Sequence, residues 1–510
     1  MDTDVSPQFY PLLRRFVLGM ISLVVLAIMG SALIASWNEP QVASRLELYQ
    51  TDLLLQATAW DGAGLPEEQA ALLRQNLLGA EPLTTAQTTY ESVRETVTKA
   101  LADNAPAVGA DAAANPRLQA TLEEQAQLLD LLDLRLGILQ AAQGEVSAAQ
   151  ASWQAIQDRQ ASGDALWQTA NTLSLLWQDE VVSADSEALL TATLQGWFRD
   201  RALEQLYEHT QALDQLAALQ QAETARAAGL VLTLAAVGVL PALGALTGVL
   251  ILVGVILQRL VKGTDSLLAR YRDTRWETPW SAETIWLVIV GGFLFMGQLV
   301  VPLLISPLRG LLAGGGIGGQ AVFALTYYAL MAGGAIAVLW WAIRAYRPLP
   351  PGWFRLQLKG PWLLWGLGGY FTALPLMLTI SVVNQQIWQG QGGSNPLLQT
   401  VLEAQDPVAL AVFFFTAAIA APLFEEFLFR GFLLPSLTRY LPVWGAIGVS
   451  SLIFAIAHLS LSEVLPLTVL GMVLGVVYTR SRNLLAPMVL HSAWNSITML
   501  GLFLLGRSVG

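Results

Sequence analysis

The 510-residue sequence contains no cysteine. Disulfides, zinc fingers, iron–sulfur clusters and a thiol nucleophile are thereby excluded. Charge is scarce too. Asp, Glu, Lys and Arg make up 13% of the chain, against about 25% in an ordinary soluble domain. Hydrophobic residues reach 54%, which excludes disorder. Basic residues are in the minority, and the net charge of −11 argues against a nucleic-acid partner. Only three histidines occur.

What charge there is lies unevenly. Residues 38–226 hold 10 Lys+Arg and 27 Asp+Glu, a net of −17, and the remainder carries +6. An acidic block is therefore flanked by apolar segments. Phe16–Ser36 is a run of 21 residues without a charge, after Arg14-Arg15. A signal-peptide core is about 7–15 residues long, so this run reads as an uncleaved signal anchor, residues 1–37. Further spans are expected at 228–257, 285–305, 321–343, 362–383, 408–437, 443–459, 464–479 and 484–506, since a crossing helix needs about 20 apolar residues. The fold class is all-α, a polytopic transmembrane bundle of nine spans with an extramembrane helical domain.

Basic residues set the orientation. Taken alternately, one set of loops carries 15 Lys+Arg, from Arg14 and Arg15 to Arg480 and Arg482, and the other only Arg309 and Arg507. The positive-inside rule puts the rich set, and the N-terminus, in the cytoplasm. Residues 38–226 then lie outside. Rich in Ala, Leu, Gln and Glu, they read as helix, with breaks at Asp61–Gly64 and Ala105–Pro116. Leu136-Gly137, Ala141, Gly144, Ala148 and Trp153 resemble a tetratricopeptide helix pair, although an ordinary amphipathic hairpin is the favoured reading. A protein partner for this block is an open expectation. His209, inside it, reads as a solvated side chain.

Ionisable groups at membrane depth are costly, so they are functional candidates. Three clusters occur: Glu425-Glu426-x-x-x-Arg430-Gly431, Phe454-x-x-x-His458 and His491-x-x-x-Asn495. Glu426 and Arg430 are i, i+4 and share a helix face. Glu425 is rotated from Glu426 by about 100° and faces another neighbour. Helical rise places Glu425 roughly 21 Å from Arg439, His458 roughly 24 Å from Pro442, and His491 and Asn495 roughly 14 and 20 Å from Arg482. Three distant segments thus converge at one depth. Singly, each has a bland reading: a structural ion pair, a core histidine, an asparagine joining helices. Together they describe water activation, with a buried carboxylate as general base, a histidine to hold the water, and His and Asn groups for a developing oxyanion. The reaction is hydrolysis of an amide bond in the membrane.

These motifs, in this order over residues 400–506, resemble the CPBP family of intramembrane proteases (CAAX protease and bacteriocin-processing, also called Abi). The resemblance implies an eight-helix protease core within residues 227–510. It implies that Glu425 activates the water with His458, that His491 and Asn495 stabilise the oxyanion, and that Glu426, Arg430 and Phe454 organise the site. The expected substrate is a membrane-associated or lipid-modified peptide or protein. Zinc stays open, because Glu425, His458 and His491 supply a His₂Glu donor set. No H-E-x-x-H spacing accompanies it, and metal-independent, glutamate-activated water is preferred. The competing readings are an inert membrane scaffold and a transporter with midplane polar groups. A transporter calls for internal repeats, which the motif region lacks.

Overall fold

The computed structural model describes residues 9–509 except 38–41, 63, 112–115, 314, 390, 395–396, 398–399, 402–403 and 405. It is helical throughout the described residues apart from loops and an isolated bridge at Gln391. The helices are α1 Phe9–Ser36, α2 Val42–Ala57, α3 Glu67–Leu78, α4 Pro82–Asp111, α5 Pro116–Ala142, α6 Val146–Arg159, α7 Ala165–Trp177, α8 Ser186–Thr193, α9 Gly196–His209 and α10 Leu213–Lys262. Beyond them come α11 Ala282–Gly310, α12 Gly316–Tyr346, α13 Trp362–Trp388, α14 Pro407–Leu437, α15 Val443–Ile456, α16 Leu461–Ser481 and α17 Leu485–Val509. The chain divides into two compact units: Met1–Glu39 with Pro241–Phe503, and Pro40–Leu240 with Leu504–Gly510.

The first unit is the membrane body of an integral membrane protein. Seven described helices are long and apolar enough to cross a bilayer: α1, α10, α11, α12, α13, α14 and α16. Two of the nine expected spans fall outside that set. The 443–459 segment is only the 14-residue α15. At about 1.5 Å per residue it is shorter than a bilayer core of about 30 Å. The 484–506 segment forms α17. Many apolar side chains of this unit face outward, among them Leu250, Leu304 and Leu364. That is the surface lipid requires.

Small residues let these helices approach closely, as in membrane bundles generally. A Cβ on Gly471 of α16 would lie 2.8 Å from the Ser451 Cβ of α15. One on Gly248 of α10 would meet the backbone oxygen of Phe371 in α13. The first helix belongs to this body. Trp286 Nε1 in α11 donates to Ser22 Oγ at 2.7 Å, and Arg14 pairs with Glu283 at 2.5 Å. Trp280 packs against Trp353 and Phe432 and donates through Nε1 to Ser436 Oγ at 2.9 Å.

The second unit is an array of helices, from the 8-residue α8 to the 30-residue α4, around its own core. In the α5–α6 hairpin the Trp153 indole lies against Gly137, where a Cβ would collide with it, and donates to Leu134 O at 3.2 Å. Its acidic excess is partly internal. Buried Asp130 and Asp133 both pair with Arg159, and Asp52 pairs with Arg135 at 2.9 Å. His209 is not simply solvated, because its Nδ1 meets Asp179 Oδ1 at 3.0 Å. Of the two expected breaks, the first holds at Gly62 and Gly64, both at positive φ. The second begins later than expected, since α4 continues to Asp111. Residues 112–115 lie outside the described residues.

Candidate active site

Helix α14 carries the two glutamates. It is not a uniform α-helix: Phe415–Ala420 and Glu426–Leu433 are wound as π-helix. Such segments are rare and frequent at functional sites. Glu426 and Arg430 are both fully buried and joined, Arg430 Nη1 donating to Glu426 Oε1 at 2.8 Å. Arg430 Nη2 donates to the Gly471 carbonyl at 3.1 Å, and its Cζ lies 4.7 Å from the centroid of the Phe454 ring. That buried ring also meets His458 and His491 edge-on, with centroids at 5.0 and 5.8 Å.

His491, on α17, connects the two carboxylates. Its Nδ1 lies 2.9 Å from Glu426 Oε1, and its Nε2 lies 3.9 Å from Glu425 Oε2. The carboxylate accepts, so Nδ1 bears the proton, and in the neutral ring Nε2 presents a lone pair toward Glu425. Glu425 forms no ion pair with Arg430, whose carboxylate partner is Glu426. Glu425 Oε1 accepts from the Tyr328 hydroxyl of α12 at 3.3 Å, and the same hydroxyl lies 3.4 Å from Ala421 O. Tyr328 was not among the sequence candidates. It belongs to no motif, and its hydroxyl is not distinguished in sequence from those of Thr326 and Tyr327 beside it.

His458 sits just past the end of α15, not within a helix as expected. Leu459 follows it at φ 59°, in the left-handed region. The ring folds back so that Nδ1 meets Phe454 O at 2.9 Å. A carbonyl only accepts, so here too Nε2 is the unprotonated nitrogen of the neutral ring. Asn495, one turn beyond His491, donates through Nδ2 to Ala417 O at 2.7 Å, which leaves its second amide proton for another acceptor.

Glu425, His458, His491 and Asn495 all line one cavity of about 760 Å³, together with Tyr328 and apolar walls that include Phe293, Phe323 and Trp494. The four groups, from three sequence-distant segments, are thus brought together. The suggested donor set of Glu425, His458 and His491 is not drawn into a metal centre: among the described residues no group of three His, Asp or Glu side chains is placed to hold an ion. The residues as arranged do not fit a His₂Glu site, and no step below runs through one.

A buried carboxylate–histidine cluster facing a cavity within a helical membrane body leaves the class at that of a polytopic integral membrane protein. Comparison with known proteins narrows it: residues 407–497 match the family model described as type II CAAX prenyl endopeptidase Rce1-like. The chain is 26% identical over 159 residues to the membrane-embedded CAAX protease MroQ of Staphylococcus aureus strain USA300, covering 29% of this chain and 63% of that protein. It is 25% identical over 138 residues to "Putative membrane peptidase YdiL" of Bacillus subtilis strain 168, covering 27% of this chain and 55% of that protein. The chain therefore spans less than two thirds of the length of these curated relatives. No solved structure matches it. The matched region contains α14, α15, α16 and the start of α17, and with them every motif residue.

Proposed function

We propose that the protein is an intramembrane endopeptidase that hydrolyses a peptide bond of a membrane-associated or lipid-modified peptide by glutamate-activated water. The observation that carries this reading is the placement of His491 Nε2 opposite Glu425 Oε2 on the cavity wall. Both atoms are acceptors, 3.9 Å apart, so no direct hydrogen bond joins them. A substrate water seated between them donates one proton to each and turns its lone pair toward the cavity. The water oxygen attacks the carbonyl carbon as Glu425 takes its proton. Protonated Glu425 then passes that proton to the departing amide nitrogen as the C–N bond breaks.

Each remaining group has a part. Tyr328 fixes the Glu425 carboxylate. Glu426, held by Arg430, fixes the tautomer and orientation of His491. Asn495 faces the substrate carbonyl oxygen through its second amide proton, and His458 lines the cavity beside it with Nε2 unprotonated. In this reading His491, not His458, is the partner of Glu425, supported by the 3.9 Å separation of His491 Nε2 and Glu425 Oε2. Family membership of the matched region supports the reaction class.

The test is a comparison of membrane proteomes from cells with the wild-type chain and with Glu425→Ala. A precursor should accumulate in the variant, and its purified form should be cut at one bond by the wild-type protein only. Identical proteomes, with no cleavage of membrane peptides by the purified protein, would remove the proposal.

A further inference from the structure

Three arginines near the ends of α14 and α16 hold the loop between α10 and α11. Arg439 Nη1 donates to Trp280 O at 2.6 Å and to Thr278 O at 3.0 Å, Arg480 Nε to Leu268 O at 2.7 Å, and Arg482 Nη2 to Thr274 O. All four acceptors are backbone carbonyls, which carry no charge to offset a guanidinium. Among the described residues none of the three arginines pairs with a carboxylate.

Arg480 is the costliest of them, at 1% exposure. Its Nη1 reaches only the Thr479 hydroxyl, at 3.0 Å, and a buried charge without a counter-charge is strongly unfavourable. The charges that act on it are Arg272, which repels it, and Asp273, which attracts it. Asp273 is exposed and lies 3.6 Å from Arg272 Nε, so one carboxylate serves both cations. Two further donors are buried with no acceptor among the described residues: Arg482 Nε and the Tyr478 hydroxyl. Both side chains lie against Trp276. Arg482 Cζ is 3.5 Å from its ring centroid, and the Tyr478 ring stacks on it with centroids 5.4 Å apart. The cluster thus has cations and donors in excess of acceptors.

Its surroundings select the kind of anion. The exposed Tyr271 ring lies 5.3 Å from Arg482 Cζ, the exposed Trp444 ring lies 5.6 Å from Arg480 Cζ, and Leu267 is exposed in the same loop. Tyr and Trp beside cations at the end of a spanning helix mark the level of the headgroups. A free phosphate would use only the cations, whereas a phospholipid also uses the aromatic and leucine surface. We propose that Arg272 and Arg482 bind the phosphate of an anionic phospholipid, with Arg480 adding charge from beneath and Trp444 and Leu267 meeting the glycerol and acyl groups. Guanidinium forks match phosphate oxygens, and basic pockets between helix ends take such headgroups.

The experiment uses the full-length protein in a neutral detergent, with fluorescent phosphatidylglycerol and phosphatidylcholine as probes. Both carry a phosphate and acyl chains, and only the first has a net negative charge. Phosphatidylglycerol should bind roughly tenfold tighter, as one charge-assisted contact gives. Arg272→Gln should cut that preference to about threefold, and Arg482→Gln likewise. Arg482→Gln also gives up the bond to Thr274 O; if its melting temperature falls, Arg272→Gln decides alone, since the exposed Arg272 side chain pairs only with Asp273 among the described residues. Lys262→Gln, an exposed change at the end of α10, is the control for diffuse attraction and should leave the preference unchanged. Equal binding of the two lipids, a preference indifferent to Arg272→Gln, or one that Lys262→Gln weakens as much overturns the inference. Displacement of the lipid by millimolar inorganic phosphate overturns it too, because the site then takes a free anion.

Discussion

Glu426 and His491 are joined at 2.9 Å across 65 residues of sequence, through the same oxygen that accepts from Arg430. One carboxylate oxygen thus neutralises a fully buried guanidinium and orients the imidazole that faces Glu425. Replacing Glu426 with Gln leaves Arg430 buried without its counter-charge, a loss of about 3–5 kcal/mol when one partner of such a pair is removed. The expected outcome for Glu426→Gln is a lower melting temperature and reduced cleavage together. Glu425→Gln should keep the wild-type melting temperature and abolish cleavage, because the amide keeps the shape but takes no proton. Both variants are measured in one detergent; an active Glu425→Gln protein would remove the general base.

Tyr328 contributes a neutral hydrogen bond to Glu425, worth about 0.5–1.5 kcal/mol. Tyr328→Phe keeps the ring packed edge-on against Phe424 and removes only the hydroxyl. Cleavage should slow by roughly threefold to tenfold in kcat with KM unchanged, since Glu425 loses its anchor while the cavity walls stay. A change confined to KM would show that Tyr328 acts on substrate and not on the base.

The contact between α15 and α16 runs through Gly471, whose carbonyl also receives Arg430. A methyl there comes 2.8 Å from Ser451 Cβ and 3.1 Å from its Cα. Backbone of α15 has to yield, and overpacking of this kind costs about 1–3 kcal/mol. Gly471→Ala should therefore lower the melting temperature, and because the helix shift moves the Arg430 acceptor, activity should fall as well. Gly448, with open space at its Cβ position, supplies the control: Gly448→Ala on the same helix pair should be silent in both measurements.

Much of the site is legible in the chain because helix geometry is periodic. The i, i+4 rule finds Glu426–Arg430, and the one-residue rotation separates Glu425 from them, even though the local winding is π-helical. Depth from the basic loops brings α14, α15 and α17 to one level. The histidine that reaches Glu425 is set by how α17 packs on α14, a long-range relation that no local spacing encodes. Tyr328 is invisible for the same reason. The place of His458 past the end of α15 depends on Leu459 adopting a left-handed conformation that is unusual for a β-carbon residue, so the apolar run alone extends that helix too far. Length-based reading also takes 443–459 for a full crossing, where the chain turns early to seat His458.

The donor geometry bears on metal dependence. Both histidines spend Nδ1 on protein acceptors, which leaves each Nε2 a free lone pair, but among the described residues these two nitrogens and Glu425 are not placed around one ion. Protein treated with a strong chelator and freed of metal should therefore keep its cleavage rate. Loss of activity with recovery on adding zinc would show that the three donors close around an ion in the working enzyme, and the water would then be activated by metal.

The second unit has a buried titratable group of its own. The Asp52 carboxylate accepts from the Tyr90 hydroxyl and, at 2.9 Å, from Arg135, whose guanidinium lies 5.0 Å from the Phe198 ring centroid. Burial raises the Asp52 carboxyl above its ordinary value, against the opposing pull of Arg135 and Tyr90. A raised folded-state value means that the folded unit binds the proton more tightly than the unfolded chain. The stability from this group is complete below the unfolded value of 3.8 and is lost as the pH rises through the folded one. Asn at this position stays neutral at every pH. Asp52→Asn should therefore match the wild type near the acid end and gain on it as the pH rises toward neutrality. Hydrogen exchange of α2, α4 and α5 in the full chain, corrected for the intrinsic pH dependence of exchange, reads this directly. If Asp52→Asn instead loses protection relative to wild type as the pH rises, the Arg135 pair outweighs burial, and the sign argued here is reversed.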